Sequence, residues 1–308
     1  MIITTTGKVG PGFYALGTNR MPSYLLDGSR PILFEAGLSC LGPAYKEDIM
    51  KILGGRQPEI LFLTHVHYDH CGSVAFLKKA FPGMKVAGSK RAAEIIIRPG
   101  ALRLIGELNR AVVEVIRKWF PAQAFEETFL PFTMDWVLSD GDRIQLEDGR
   151  HIEVLATPGH TWDSLSYYLP KEKILITSES AGCPDNTGFI FTEFLVDYQA
   201  YLESINRLSR LEVEIFCPGH GAVYTGEEAK GFFDRSRRAA REFKELVEDS
   251  LHLEGKDIQK TIARVKAIEY DPKPGPKQLE AAYLLNIEAR VRHLALMMEK
   301  KAIIREKE

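Results

Sequence analysis

Six consecutive residues restrict this chain more than any other part of it. His65-Val66-His67-Tyr68-Asp69-His70 places three imidazoles and a carboxylate in one short stretch. Neutral histidine nitrogens and carboxylate oxygens are the donors that zinc and iron take, with water completing the shell in catalytic sites. A lone histidine is more often a satisfied core or surface residue, but four donors at this spacing point to a metal site. The stretch begins where Glu59 to Thr64, mostly apolar and of strand length, ends. In extended geometry His65, His67 and Asp69 share one face, and His70 joins them only if the chain turns. Cys71-Gly72-Ser73 suits such a turn, leading into a helical segment from Ser73 to Ala80. The expected unit is strand, ligand loop, helix.

One loop cannot close two coordination shells, so further donors are expected at other strand ends. Three places qualify. Ile152 to Ala156 precedes Thr157-Pro158-Gly159-His160, Ile174 to Thr177 precedes Ser178-Glu179-Ser180, and Val213 to Cys217 precedes Pro218-Gly219-His220-Gly221. The Pro-Gly pairs enforce tight turns that can aim an imidazole back across a sheet edge. The remaining histidines, His151, His252 and His293, lie in charged surroundings and read as surface residues.

With these motifs, Thr-His-Val-His-Tyr-Asp-His-Cys-Gly, Thr-Pro-Gly-His-Thr and Cys-Pro-Gly-His-Gly, the chain resembles the metallo-β-lactamase-fold hydrolases, the glyoxalase II and lactonase-like group among them, over roughly residues 1 to 230. The resemblance implies an α/β fold, a four-layer αββα sandwich, with a helical lid insertion at about 90–136 and a C-terminal helical tail. It divides the chain into a fold domain, 1–229, and a helical extension, 230–308. It assigns His65, His67 and His160 to one metal and Asp69, His70 and His220 to a second, both divalent, zinc being the first expectation and iron or manganese the others. The family's bridging aspartate, in a Gly-Asp pair, is replaced here by Glu179 after Ser178. A glutamate carries its carboxylate about 1.5 Å further from the backbone. It can bridge, bind one metal, or hydrogen-bond a ligand.

Two cations so held would share a water and lower its pKa toward ~7, giving a hydroxide that attacks a thioester, lactone or other ester. Asp69 is expected to be a ligand that also orients the water; Thr64, Thr161 and Ser164 are expected to donate hydrogen bonds around the ligands, and Tyr68 to pack or act. Two other readings use the same residues: a regulatory or binding protein with weak turnover, resting on Glu179, and an iron-dependent oxidoreductase. The complete second ligand set and the lack of a flavodoxin-like domain weigh against the oxidoreductase.

The rest of the sequence agrees with an enzyme of the cytoplasm acting on a small molecule. At 308 residues and 45% hydrophobic content a large core can form without disulfides. Cys40, Cys71, Cys183 and Cys217 lack paired spacing and read as buried structural thiols. The N-terminus lacks a basic segment followed by an apolar stretch, and no run approaches the ~18 apolar residues of a membrane span. Residues 230–308 carry 18 Lys and Arg against 14 Asp and Glu, too mild an excess for nucleic-acid binding.

From Lys90 to Phe120 the apolar spacing is helical, broken at Pro99-Gly100, and Trp119, Phe120, Phe125, Phe129, Phe132 and Trp136 follow. These aromatics are expected mainly to pack, with a pocket wall as the sharper alternative. Glu227 to Leu251, Asp257 to Tyr270 and Gln278 to Lys301 read as helices, interrupted at Asp271 to Pro276. The Leu/Met/Ile stripe of the last of these, which runs on to Ile303, is expected to pack on the main domain or to form a homodimer through the tail.

Overall fold

The computed structural model describes residues 1–119, 125, 128–146, 149–185, 187–274 and 277–305, with side chains at 119 and from 301 onward outside the description. The expectations for the Trp119 and Phe120 rings, the Gly275-Pro276 break and the Ile303 side chain therefore lie outside the described residues. The first half of the chain gives β1 (Ile2–Ile3), β2 (Gly7–Gly10), β3 (Phe13–Thr18), β4 (Met21–Leu26), β5 (Ile32–Phe34), α1 (Gly42–Leu53), β6 (Ile60–Phe62), α2 (Tyr68–Cys71), α3 (Val74–Ala80), β7 (Lys85–Ser89), α4 (Lys90–Ile95), α5 (Pro99–Trp119) and β8 (Trp136–Leu138). The second gives β9 (Arg143–Gln145), β10 (His151–Ala156), β11 (Leu165–Leu169), β12 (Ile174–Ser178), β13 (Cys183–Pro184), β14 (Ile190–Phe191), α6 (Tyr198–Leu208), β15 (Ile215–Pro218), β16 (Val223–Thr225), α7 (Glu227–Leu253), α8 (Ile258–Glu269) and α9 (Glu280–Arg305).

Two seven-stranded sheets result, ordered β2-β3-β4-β5-β6-β7-β8 and β1-β16-β15-β12-β11-β10-β9. β5, β6 and the first three residues of β12 are apolar at every position, as strands buried on both faces are. Alternation then assigns the faces. Ile32, Phe34, Ile60 and Phe62 of the first sheet meet Ile174, Ile176, Ile215 and Cys217 of the second in the core between the sheets. Leu33 and Leu61 point outward, to a core shared with Ile49, Leu77 and Ile105 of α1, α3 and α5. Leu175 and Phe216 point outward on the other side, to Ile205, Phe232, Val265 and Val291 of α6 to α9. This is the expected αββα order, and the C-terminal helices are its fourth layer.

Strand direction explains where the ligand loops meet. β5 and β6 pair in parallel, with Phe34 opposite Phe62, and β12 and β15 pair in parallel, with Ile176 opposite Cys217. β10 is antiparallel to β11, which is antiparallel to β12, so two reversals return β10 to the direction of β12. The chain therefore leaves β5, β6, β10, β12 and β15 at carboxyl ends on a shared edge, where α/β sheets place their ligands. One expectation needs correction here. β6 stops at Phe62, and Tyr68–Cys71 coil into a helical turn, so Asp69 is presented by a helix rather than by strand parity, while the turn that His70 requires begins before Cys71.

Candidate metal centre

The seven donors singled out in the sequence converge. Three groups have ligand atoms within 4.8 Å of one another: His65, His67 and His160; Asp69, His70 and His220; and His65, His70 and Glu179. Glu179 lies between the first two. Its Oε1 is 2.9 Å from His70 Nε2 and 2.8 Å from His220 Nε2, while its Oε2 is 3.6 Å from His65 Nε2 and 3.8 Å from His160 Nε2. The longer side chain is accommodated by the strand end: Ser178 sits at φ 51°, unusual for a residue with a Cβ, and its Oγ donates to Glu179 Oε2 at 2.6 Å.

The imidazoles are aimed by their outer nitrogens. His160 Nδ1 donates to the Glu193 carbonyl at 2.6 Å, and His220 Nδ1 to the Arg20 carbonyl at 2.7 Å. His70 Nδ1 donates to Glu35 Oε2 at 2.7 Å. A ring whose Nδ1 carries the proton presents an Nε2 lone pair, so three lone pairs are directed inward. His65 Nδ1 is 3.0 Å from Thr64 Oγ1, and its Nε2, buried, has no hydrogen-bond partner. His67 Nδ1 lies 3.1 Å from His160 Nε2.

Acceptors converging on acceptors require positive charge among them. Burial pushes His65 well below the usual histidine range, and it pushes His160 down to about 3. Burial also opposes charge on His70, but the Glu179, Asp69 and Glu35 carboxylates outweigh it and hold His70 well above that range, so with no cation beside it Nε2 takes a proton toward Glu179 where its lone pair would otherwise ligate. Burial would likewise raise Glu179, yet His70 and the hydrogen bond from His220 hold it well below the carboxylate range. An orphaned inward nitrogen, three oriented lone pairs and two carboxylates fit divalent cations in an N/O donor set.

Several residues of the centre had no motif to announce them. Glu35, buried at φ 67° just after β5, accepts from Thr64 N–H at 2.9 Å as well as from His70. Asn109, fully buried on α5, accepts from Ser39 N–H at 2.8 Å and donates to the Tyr68 carbonyl at 2.9 Å, fixing the loop to the insertion. Asp163 accepts from Val66 N–H at 3.0 Å. Glu193, pushed up to about 7 by burial against the opposing charge of Arg290, receives a hydrogen bond from Asn286 of α9 at 3.1 Å.

Other expectations resolve differently. Thr161 and Ser164 bond to each other at 2.7 Å and brace their own loop, whereas Thr64 does reach a histidine. His293 is not a surface residue: half-buried, it accepts the Tyr198 N–H at the start of α6 at 3.0 Å. All four cysteines are buried and unpaired. Phe132 is buried in the core and Phe125 and Phe129 pack against it, so the aromatics after α5 are mainly packing residues.

Above the centre opens a cavity of about 470 Å³, lined by His67, Asp69, His160, Glu179 and His220 at its inner end. Tyr68 borders it too. No helix among the described residues is long and apolar enough to cross a membrane.

A four-layer sandwich with histidines and carboxylates gathered at one sheet edge defines a class of metal-binding proteins. The chain belongs to the metallo-beta-lactamase superfamily, whose family model matches residues 22–220. It is 24% identical over 238 residues to an atrochrysone carboxyl ACP thioesterase of Aspergillus fumigatus, covering 77% of this chain and 59% of that protein. It is 28% identical to an acyl-coenzyme A thioesterase of Homo sapiens, covering 70% of this chain and 77% of that one. It is 26% identical to a hydroxyacylglutathione hydrolase of Legionella pneumophila, covering 58% and 56%. The chain spans about three fifths of the length of the first curated relatives it matches, 59% and 60%. Among solved structures, a metallo-beta-lactamase family protein of Thermus thermophilus aligns over 96% of both chains with a TM-score of 0.65 at 19% identity. An archaeal superfamily protein of Sulfolobus tokodaii aligns over 96% of this chain and 97% of that one, with a TM-score of 0.57 at 17% identity.

Proposed function

We propose that the chain is a dinuclear metal-dependent hydrolase of thioesters or related carboxylic esters. The observation that carries the reading is the Glu179 carboxylate, one oxygen toward His70 and His220 and the other toward His65 and His160. In this reading His65, His67 and His160 would hold one ion and Asp69, His70 and His220 the other, with the Glu179 carboxylate offered to both groups. Divalent ions held there, zinc by the donor set, would lower the pKa of water and polarise a carbonyl. Glu35, Arg20 and Glu193 keep three ring nitrogens aimed inward, so the donors need no rearrangement to act. Asp69, a ligand bordering the cavity, orients the attacking water. Names of relatives as thioesterases and a hydroxyacylglutathione hydrolase support thioesters above lactones. Buried, unpaired cysteines suit the cytoplasm.

The test is a panel of thioester, lactone and phosphodiester substrates on protein of measured metal content. Hydrolysis of a thioester or ester is expected; a dinuclear preparation that cleaves none of the panel refutes the proposal. Glu179→Asp should lower the rate, because the shorter side chain withdraws from both clusters. A large gain would instead favour a site detuned for binding.

A further inference from the structure

The cavity continues well beyond the metal-ligand residues. α5 contributes Leu104, Leu108, Val112, Val115 and Ile116 to its wall. Spacings of four and three keep these on one helix face, and from the first to the last the helix rises about 18 Å at 1.5 Å per residue. The core takes Ile105 and Val113 of α5 and shares Val112 and Ile116 with this wall. Leu104 and Leu108 lie outside that core, and Leu104 is 50% exposed. On the opposite side α9 supplies Ala282 and Leu285, the latter 53% exposed, with Leu279 just before the helix. None of Arg103, Glu107, Arg110 and Glu114 of α5 joins this lining.

Two helices from separate layers therefore hold aliphatic side chains toward one space whose inner end is the Glu179 cluster. A polar or charged substrate body would leave these side chains unmatched. Its charge would also find two of the three Lys and Arg side chains of the lining engaged: Lys273 Nζ is 3.1 Å from Asp185, and Lys277 Nζ donates to the carbonyls of Tyr270 and Asp271.

We propose that this groove binds the acyl portion of the substrate, an ester or thioester of a long unbranched fatty acid. The chain lies between α5 and α9, with the scissile carbonyl at the Glu179 cluster. This rests on the hydrolase reading and specifies its substrate class. In the reaction, water adds its oxygen to the acyl carbon, the bond from that carbon to sulfur or oxygen breaks, and a proton passes to the leaving thiol or alcohol. The products are a fatty acid and the carrier.

The holoprotein is assayed with acetyl, hexanoyl and decanoyl thioesters and the matching oxygen esters, and separately for displacement of a fluorescent fatty acid by free fatty acids of increasing length. Each buried methylene is worth ~0.8 kcal/mol, so kcat/KM should rise about fourfold per methylene until the groove is filled. Leu285→Glu, at an exposed position, and Leu108→Trp should each lower the decanoyl-to-acetyl ratio of kcat/KM by at least about tenfold, and weaken long-chain displacement in proportion. A flat chain-length profile, or variants that keep the wild-type ratio, overturns the groove assignment while leaving a hydrolase. Length-dependent fatty-acid binding that the variants abolish, without hydrolysis of any thioester or of the matching oxygen esters, supports the groove and overturns the hydrolase. Absence of both overturns both.

Discussion

Glu35→Gln isolates the contribution of one buried carboxylate to the metal centre. The Glu35 side chain is 2% exposed, with Oε2 2.7 Å from His70 Nδ1 and Oε1 2.9 Å from Thr64 N, so both oxygens accept. An amide of the same shape offers one acceptor and one donor. If its oxygen keeps the Thr64 N–H, its NH2 faces His70 Nδ1. The ring proton must then move to Nε2, the atom that points at Glu179 and should ligate. If the amide is reversed, its NH2 opposes the Thr64 N–H, a buried clash of donors worth about 1–3 kcal/mol. Removing a hydrogen-bond partner behind a metal-bound histidine typically weakens metal affinity 10- to 100-fold, about 1.4–2.7 kcal/mol. Chelator-competition titration should therefore show one ion weakened by this factor, the one held through His70, and the other much less affected. Two affinities unchanged from wild type would refute the argument that Glu35 sets the ring's tautomer.

Three other perturbations bear on the frame around the site. Gly159→Ala should lower metal occupancy and cost at least about 1–3 kcal/mol in chemical denaturation, because Gly159 has φ 127° and an added Cβ would lie 2.4 Å from Tyr201 backbone atoms; wild-type occupancy would show that the His160 turn can move freely. Arg290 is fully buried, donates to the Thr192 carbonyl at 2.7 Å and lies 3.5 Å from Glu269, so Arg290→Met should destabilise by about 3–5 kcal/mol, with Glu269→Gln in the same chain restoring part of it; absence of recovery in calorimetry contradicts the pairing. His293 has a pKa lowered by burial from 6.5, so the unfolded chain binds more protons just below that pH and this group's contribution to stability is lost as pH falls. His293→Gln should flatten the thermal midpoint between about pH 7 and about pH 5, and an unchanged slope would count against that role.

The sequence made the strand-end ligands legible because each follows an apolar run and a turn, two signals that local periodicity carries. It also exposed the layers, since strands apolar at every position must be covered on both sides, and the helices after Gly226 supply one cover. Glu35 was hidden for a physical reason. One acidic residue after Phe34 looks like an ordinary strand end, and only parallel pairing of β5 with β6 brings it to Thr64 and His70, 29 and 35 residues away. Asn109 was masked by the amphipathic pattern around it, and His293 by Arg290 and Arg292, whose charges suggested solvent although Arg290 itself is buried. Aliphatic side chains of α5, rather than the aromatics that follow, line the cavity because the helix carries two overlapping apolar stripes, which a one-dimensional pattern merges into one.

The central claim is that seven donors hold two catalytic ions around Glu179. It is tested most directly by elemental analysis of the purified protein, coupled to thioester hydrolysis before chelation, after chelation and after metal return. Two divalent ions per chain, with activity lost on their removal and regained on their return, is the predicted result. One ion or none at full activity, or hydrolysis that survives complete removal of metal, would contradict it.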